Sequence, residues 1–169
     1  MPNMMPPTDD DALWMRRALD LAHSGENSRG GGPIGCVILL DRQVVGEAHN
    51  EVSADHDPTA HAETTAIRRA CAALGRDDLR GATLYSTLQP CGMCSMASIW
   101  TSVGRIVYGA GRPDVHRMYF ECRSLNLDDI LADAYRDDIR FTAGVLREEC
   151  AALYYGPGDA PPVEEQANI

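Results

Sequence analysis

The order of segments along the chain predicts a three-layer α/β/α sandwich around a five-stranded mixed sheet. Three observations carry this. Two strand-like segments, 34–40 and 43–50, flank a tight Asp41-Arg42 turn and read as a hairpin. After them, strand-like and helix-like segments alternate. The last two strand segments are separated by a connection long enough for a parallel crossover, which a hairpin never needs. At 169 residues the chain holds one well-buried domain.

Residues 1–8 are rich in Met and Pro without periodicity, and predict a flexible N-terminal stretch. Thr8 followed by Asp9, Asp10 and Asp11 predicts a helix start, a capping hydroxyl with acids in the first turn. Leu13, Trp14 and Leu21 give that helix an apolar face ending at Gly25. Gly30-Gly31-Gly32-Pro33 breaks the pattern; no helix start or lysine follows, so it reads as a turn or a close approach and not as a phosphate loop. Pro58 suits a first helical turn, and the helix carrying His61 and Glu63 runs through Ala66, Ile67, Ala70 and Leu74 to Gly75. A short strand is expected at 82–87, a helix from Pro90 to Trp100, and a further strand at 103–108. Residues 112–134 are mixed and mostly helical in pattern, followed by a strand at 139–142 and a helix over 147–155. The domain is therefore expected over 9–155, with a Pro- and acid-rich flexible tail at 156–169.

Charge and cysteine usage narrow the function. The chain has no lysine; fifteen arginines face twenty-five acids, for a formal charge of −10. A protein that grips a nucleic-acid backbone ordinarily carries the opposite balance, so nucleic acid is an unfavoured partner. There is no apolar run of membrane-spanning length and no basic-then-apolar leader, which predicts a cytoplasmic protein without a membrane partner. Cysteines 36, 71, 91, 94, 122 and 150 are irregularly spaced, which favours metal binding plus buried thiols over disulfides.

His61-Ala62-Glu63 and Pro90-Cys91-Gly92-Met93-Cys94 carry the chemistry. One imidazole and two thiols are the ligand set of a Zn²⁺ site that fills three positions and leaves the fourth to a catalytic water or hydroxide. Cys91 and Cys94, at i and i+3, share one face of a helix start, and His61 comes from another. Two helix N-termini aimed at one ion favour thiolates and hydroxide. Glu63 is the proton carrier for that water. Cys-x-x-Cys alone would equally suit a redox pair or half a structural zinc site. A structural site needs a fourth ligand, and Cys36, Cys71, Cys122 and Cys150 form no second cluster.

These residues make the chain similar to the cytidine deaminase superfamily, in the branch holding guanine deaminases, cytosine deaminases and tRNA adenosine deaminases. The resemblance spans about residues 10–155. It includes Gly32-Pro33-Ile34-Gly35, Asn50, Asp57-Pro58-Thr59-Ala60-His61-Ala62-Glu63, Thr87-Leu88-Gln89-Pro90-Cys91-Gly92-Met93-Cys94 and Gly144-Val145-Leu146. Gln89 departs from it, standing where many relatives carry glutamate or serine. The resemblance implies one zinc per subunit and hydrolytic deamination at an amidine-like ring carbon. Glu63 would pass the water proton to a ring nitrogen and another to the departing ammonia. Asn50 and the Ala62 N–H would hydrogen-bond the base, with Ile34 and Phe120 as pocket contacts. It also implies a homodimer paired through helices near the zinc, which suits the apolar Met93, Met96, Ala97, Ile99 and Trp100.

For the substrate, Met118-Tyr119-Phe120-Glu121 places aromatics and a carboxylate where base-specific deaminases close their pocket. Glu121, with Asp114 as the fallback, would accept hydrogen bonds from ring N–H and amino groups, as in guanine, isocytosine or amino-triazines. The expected substrate is a free nucleobase or related small heterocycle, with tRNA adenosine or a nucleoside as the alternative and a non-catalytic zinc module as a third class.

Overall fold

The computed structural model describes residues 3–165. Its strands are β1 (Gly32–Leu40), β2 (Gln43–Asn50), β3 (Thr83–Leu88), β4 (Arg105–Ala110) and β5 (Arg140–Ala143). Its helices are α1 (Asp11–Glu26), α2 (Val52–Asp55), α3 (Ala62–Leu74), α4 (Gly92–Trp100), α5 (Leu127–Asp133) and α6 (Arg147–Ala151). The sheet order is β2-β1-β3-β4-β5, as the mixed five-stranded expectation requires. β1 runs antiparallel to both β2 and β3, whereas β3, β4 and β5 are mutually parallel.

Period-two burial builds the three layers. Cys36 and Ile38 of β1, Leu84 of β3 and Ile106 of β4 face a core shared with α3, α4 and α5. Their neighbours Val37, Leu39, Tyr85 and Val107 face the opposite core, shared with α1 and α6. Such strands, buried on both faces, read as continuous apolar runs. Gly35 sits where α1 crosses β1; a Cβ there would lie 1.9 Å from the Ala18 carbonyl oxygen, so only glycine permits this approach. Asp11 ties α1 to the sheet: it is fully buried and accepts from Arg105 Nη1 and Nη2, at 2.8 and 2.7 Å, and from Tyr85 OH at 3.0 Å.

Several local expectations are corrected. Thr8 does not cap α1 through its hydroxyl; its N–H donates to Asp11 Oδ2 at 2.7 Å, and Asp10 holds the cap position. Pro58 is not in a helix. Asp57 accepts from the N–H and Oγ1 of Thr59, and this local turn outcompetes helix until Ala62. α2, unforeseen, ends where His56 turns left-handed at φ 53°. The strand expected from 103 begins at Arg105 and extends to Ala110. Residues 112–134 hold two short 3₁₀ turns, Arg112–Asp114 and Arg117–Tyr119, before α5. The last helix stops at Ala151. Residues 3–5, expected to be loose, run beside β5: Met5 N–H donates to the Phe141 carbonyl at 2.8 Å and Phe141 N–H to that of Asn3 at 2.9 Å. Of the flexible ends expected at 1–8 and 156–169, residues 1–2 and 166–169 lie outside the described residues. Among the described residues no helix is long and apolar enough to cross a membrane.

Candidate metal centre and active site

The β2–α3 and β3–α4 connections both deliver a helix N-terminus to one point. His61 is the residue capping α3 and Cys91 the one capping α4, each in extended backbone conformation, so their side chains hang over the helix ends. Cys94 lies on the third residue of α4 and is fully buried. His61 Nδ1 stands 3.6 Å from Cys91 Sγ and 3.7 Å from Cys94 Sγ. A tetrahedral zinc, with Zn–S of about 2.3 Å and Zn–N of about 2.1 Å, separates its S and N ligands by about 3.6 Å. The three donors therefore fit zinc in kind and in spacing, and among the described residues they form the only such cluster of three or more. The Cys91 thiol is held down at about 4, first by its hydrogen bond with Cys94 and then by His61. The bond to Cys91 in turn raises His61 to about 9. An ion taking these atoms displaces their protons.

Glu63, in the first turn of α3, is 4 % exposed. Its Oε1 accepts from Ser86 Oγ at 3.1 Å and its Oε2 from Cys94 Sγ at 3.4 Å. Burial raises its carboxyl above the usual range, and the charge of Cys91 adds to this. Although i and i+2 positions do not share a helix face, the helix end lets the Glu63 carboxylate reach the ligand cluster. Ser86 was not foreseen. The signal was there in its alternation: it pairs with Cys36 across β1 and β3, a polar residue at an inward-facing, fully buried position.

Asn50 ends β2 beside this cluster, and the next residue, Glu51, donates its N–H to the Ala60 carbonyl at 2.9 Å. Asn50 Oδ1 is buried without any hydrogen-bond partner. Gly32 makes room for this side chain, since a Cβ there would lie 2.8 Å from Asn50 Nδ2. Ala62 is fully buried; its N–H belongs to the first helical turn, where no intrahelical carbonyl is available. Ile34 is partly buried between the two cores. Phe120 packs into the α1–α6 core, with the Arg112 guanidinium 4.3 Å above its ring. Glu121 is exposed, yet its charge is near enough to contribute to raising His61. The fallback acid Asp114 is engaged elsewhere, accepting from Gly111 N–H at 2.8 Å and lying 3.7 Å from Arg147. Gln89 acts locally: its Oε1 accepts the Arg112 N–H at 3.1 Å and fixes the turn after β4.

A zinc-type ligand triad with a buried carboxylate, carried on two helix ends above an α/β/α sheet, defines a hydrolytic metal centre. A family model, the cytidine and deoxycytidylate deaminase zinc-binding region, matches residues 8–110, and the chain belongs to that family. Guanine deaminase of Bacillus subtilis (strain 168) is 41 % identical over 108 residues, covering 64 % of this chain and 69 % of that protein. The tRNA-specific adenosine deaminase of the same organism is 34 % identical over 143 residues, 85 % of each chain. Among solved structures, guanine deaminase from Nitrosomonas europaea superposes with a TM-score of 0.73 at 28 % identity, covering 84 % of this chain and 81 % of that one. A structure from work on A-to-I editing by tRNA:A34 deaminases gives 0.71 at 33 % identity, covering 83 % and 98 %.

Proposed function

We propose that this deaminase acts on a free nucleobase or closely related amino-heterocycle of the guanine type, releasing ammonia. The observation that carries this reading is a surplus of acceptors beside the ligand triad. Asn50 Oδ1 is buried without a donor, and the Glu121 carboxylate lies within electrostatic reach of His61. Guanine and isocytosine present adjacent N–H donors suited to both, and a base that lacks them leaves the buried Asn50 acceptor unpaired. Zinc, when bound by His61, Cys91 and Cys94, supplies Lewis-acid activation of water. Glu63 would take one proton from the attacking water and deliver it to a ring nitrogen, then carry the second, from the oxygen newly bonded to the ring carbon, to the departing amine. Its raised pKa suits a group that must both accept and release protons. Ser86 holds Glu63 Oε1 toward this task. The Ala62 N–H and Asn50 orient the ring, with Ile34 and Phe120 as walls.

A second reading, adenosine deamination in tRNA, draws on the 85 % coverage of the tRNA-specific relative. The −10 balance without lysine weighs against it. The purified protein should release ammonia fastest from guanine and isocytosine in a panel with cytosine and amino-s-triazines, and leave an anticodon stem-loop unedited. Inosine in the stem-loop with every free base inert would replace the first reading by the second. A homodimer belongs to the proposal: Trp100 and Met96, four residues apart on one face of α4, are 76 % and 39 % exposed. A cytoplasmic setting also belongs to it, on the ground of six free thiols.

A further inference from the structure

Around the turn after β4, a groove of about 450 Å³ is lined by Arg112, Val115, His116, Arg117 and Arg123, with Pro113 and Pro157 as its remaining walls. No acid lines it. In a chain of net charge −10, most arginines outside the groove sit on carboxylates, as Arg16 does on Glu149, Arg17 on Glu47 and Arg69 on Glu51; a groove that gathers three without one is set apart by their grouping. Arg112, Arg117 and Arg123 make no ion pair among the described residues.

Arg112 is moreover fixed in advance. Its Nε donates to Asn126 Oδ1 at 2.6 Å, its Nη2 to the Leu125 carbonyl at 3.1 Å, and its guanidinium lies over Phe120. These partners are neutral, so the cation is positioned while its charge stays uncompensated. A ligand would not have to order it, which removes part of the entropic cost of binding. His116 is oriented too: Nδ1 accepts the Met118 N–H at 3.2 Å, which leaves the ring proton on Nε2 as a donor.

We propose that this groove binds a phosphate group, as free phosphate or as the monoester of a mononucleotide. Three guanidinium groups and an imidazole N–H match its oxygens in number and charge. The apolar walls and the acidic remainder of the surface favour a small anion over an extended polyanion. The groove is built from the segment that continues into Glu121 and into Cys122, whose Sγ lies 3.7 Å from where a Gly92 Cβ would stand at the start of α4. Occupancy therefore steadies the segment beside the ligand triad. The inference does not rest on which base is deaminated.

The test is calorimetric titration of the full chain with inorganic phosphate at constant ionic strength, with chloride as the control. Saturable 1:1 binding is expected. The exposed pair Arg117→Ala/Arg123→Ala should weaken it at least tenfold while leaving the melting temperature without phosphate unchanged. Equal heats for the variant and the parent chain, or for phosphate and chloride, would overturn the assignment. Guanosine 5′-monophosphate separates the two sources. Tighter binding than inorganic phosphate, lost in the variant, identifies a nucleotide; equal binding identifies free phosphate. If an RNA stem-loop binds through Arg117 and Arg123 while both small anions do not, the groove is a backbone-binding surface and the proposal fails. Each readout is binding and not turnover, so failure here leaves the deaminase reading intact.

Discussion

In the proposed mechanism Glu63 and Ser86 divide one task between a group that moves protons and a group that aims it, the two joined by a hydrogen bond. Glu63→Gln keeps the shape but removes the base, and should lower kcat by on the order of 10²–10⁴ with zinc content unchanged. Ser86→Ala leaves the carboxylate in place but frees one oxygen from its 3.1 Å donor. We expect a smaller loss, about tenfold, confined to kcat with KM unchanged, and recovery in Ser86→Thr. A change in KM alone would show that Ser86 shapes the base pocket and not Glu63. The ligand residues and Glu63 were legible in the sequence because metal chemistry restricts residue type and local spacing together. Ser86 was not, since nothing about a lone serine in a strand announces its partner until register places it opposite Cys36. Glu121 lies between these cases. Its segment was expected to close the pocket, but its exposure depends on how residues 112–126 fold.

At the scale of elements, strands and long helices followed from pattern, and the errors cluster where short polar side chains redirect the backbone. Asp57 and Thr59 delay α3, and Gln89 and Asp114 bind the turn that replaces helix after β4. Such local hydrogen bonds compete with helix without altering hydrophobic periodicity, so periodicity cannot report them. The α4 face tests the dimer. Trp100, Met96 and Leu125 are 76 %, 39 % and 48 % exposed, and Met96 and Leu125 line one groove between α4 and α5. Trp100→Glu places a charge in the centre of the expected contact. Light scattering at micromolar concentration should show the parent chain as a dimer and the variant as a monomer with unchanged circular dichroism. A parent chain already monomeric would remove α4 as the contact.

For the whole molecule, the Asp11–Arg105 pair is the main electrostatic tie between α1 and the sheet. Burial alone would raise the Asp11 pKa, but hydrogen bonds from Arg105 and Thr8 outweigh it and the net shift is downward. A carboxyl held below its unfolded value contributes stability in full above about pH 4, and loses it as pH falls through the folded value. Asp11→Asn leaves Arg105 buried without its partner and should cost about 3–5 kcal/mol at neutral pH. Its stability should then fall less steeply below pH 4 than that of the parent chain, as measured by urea titration across the acid range. The pairing of residues 3–5 with Phe141 has a consequence for biosynthesis. The first strap of the sheet is translated more than a hundred residues before its partner strand, so β5 is the last strand made and the first to need a cover. Until the chain doubles back, β5 offers open amides and carbonyls to any passing strand. A chain lacking residues 3–5 is therefore expected to associate through this bared edge more readily than the parent chain.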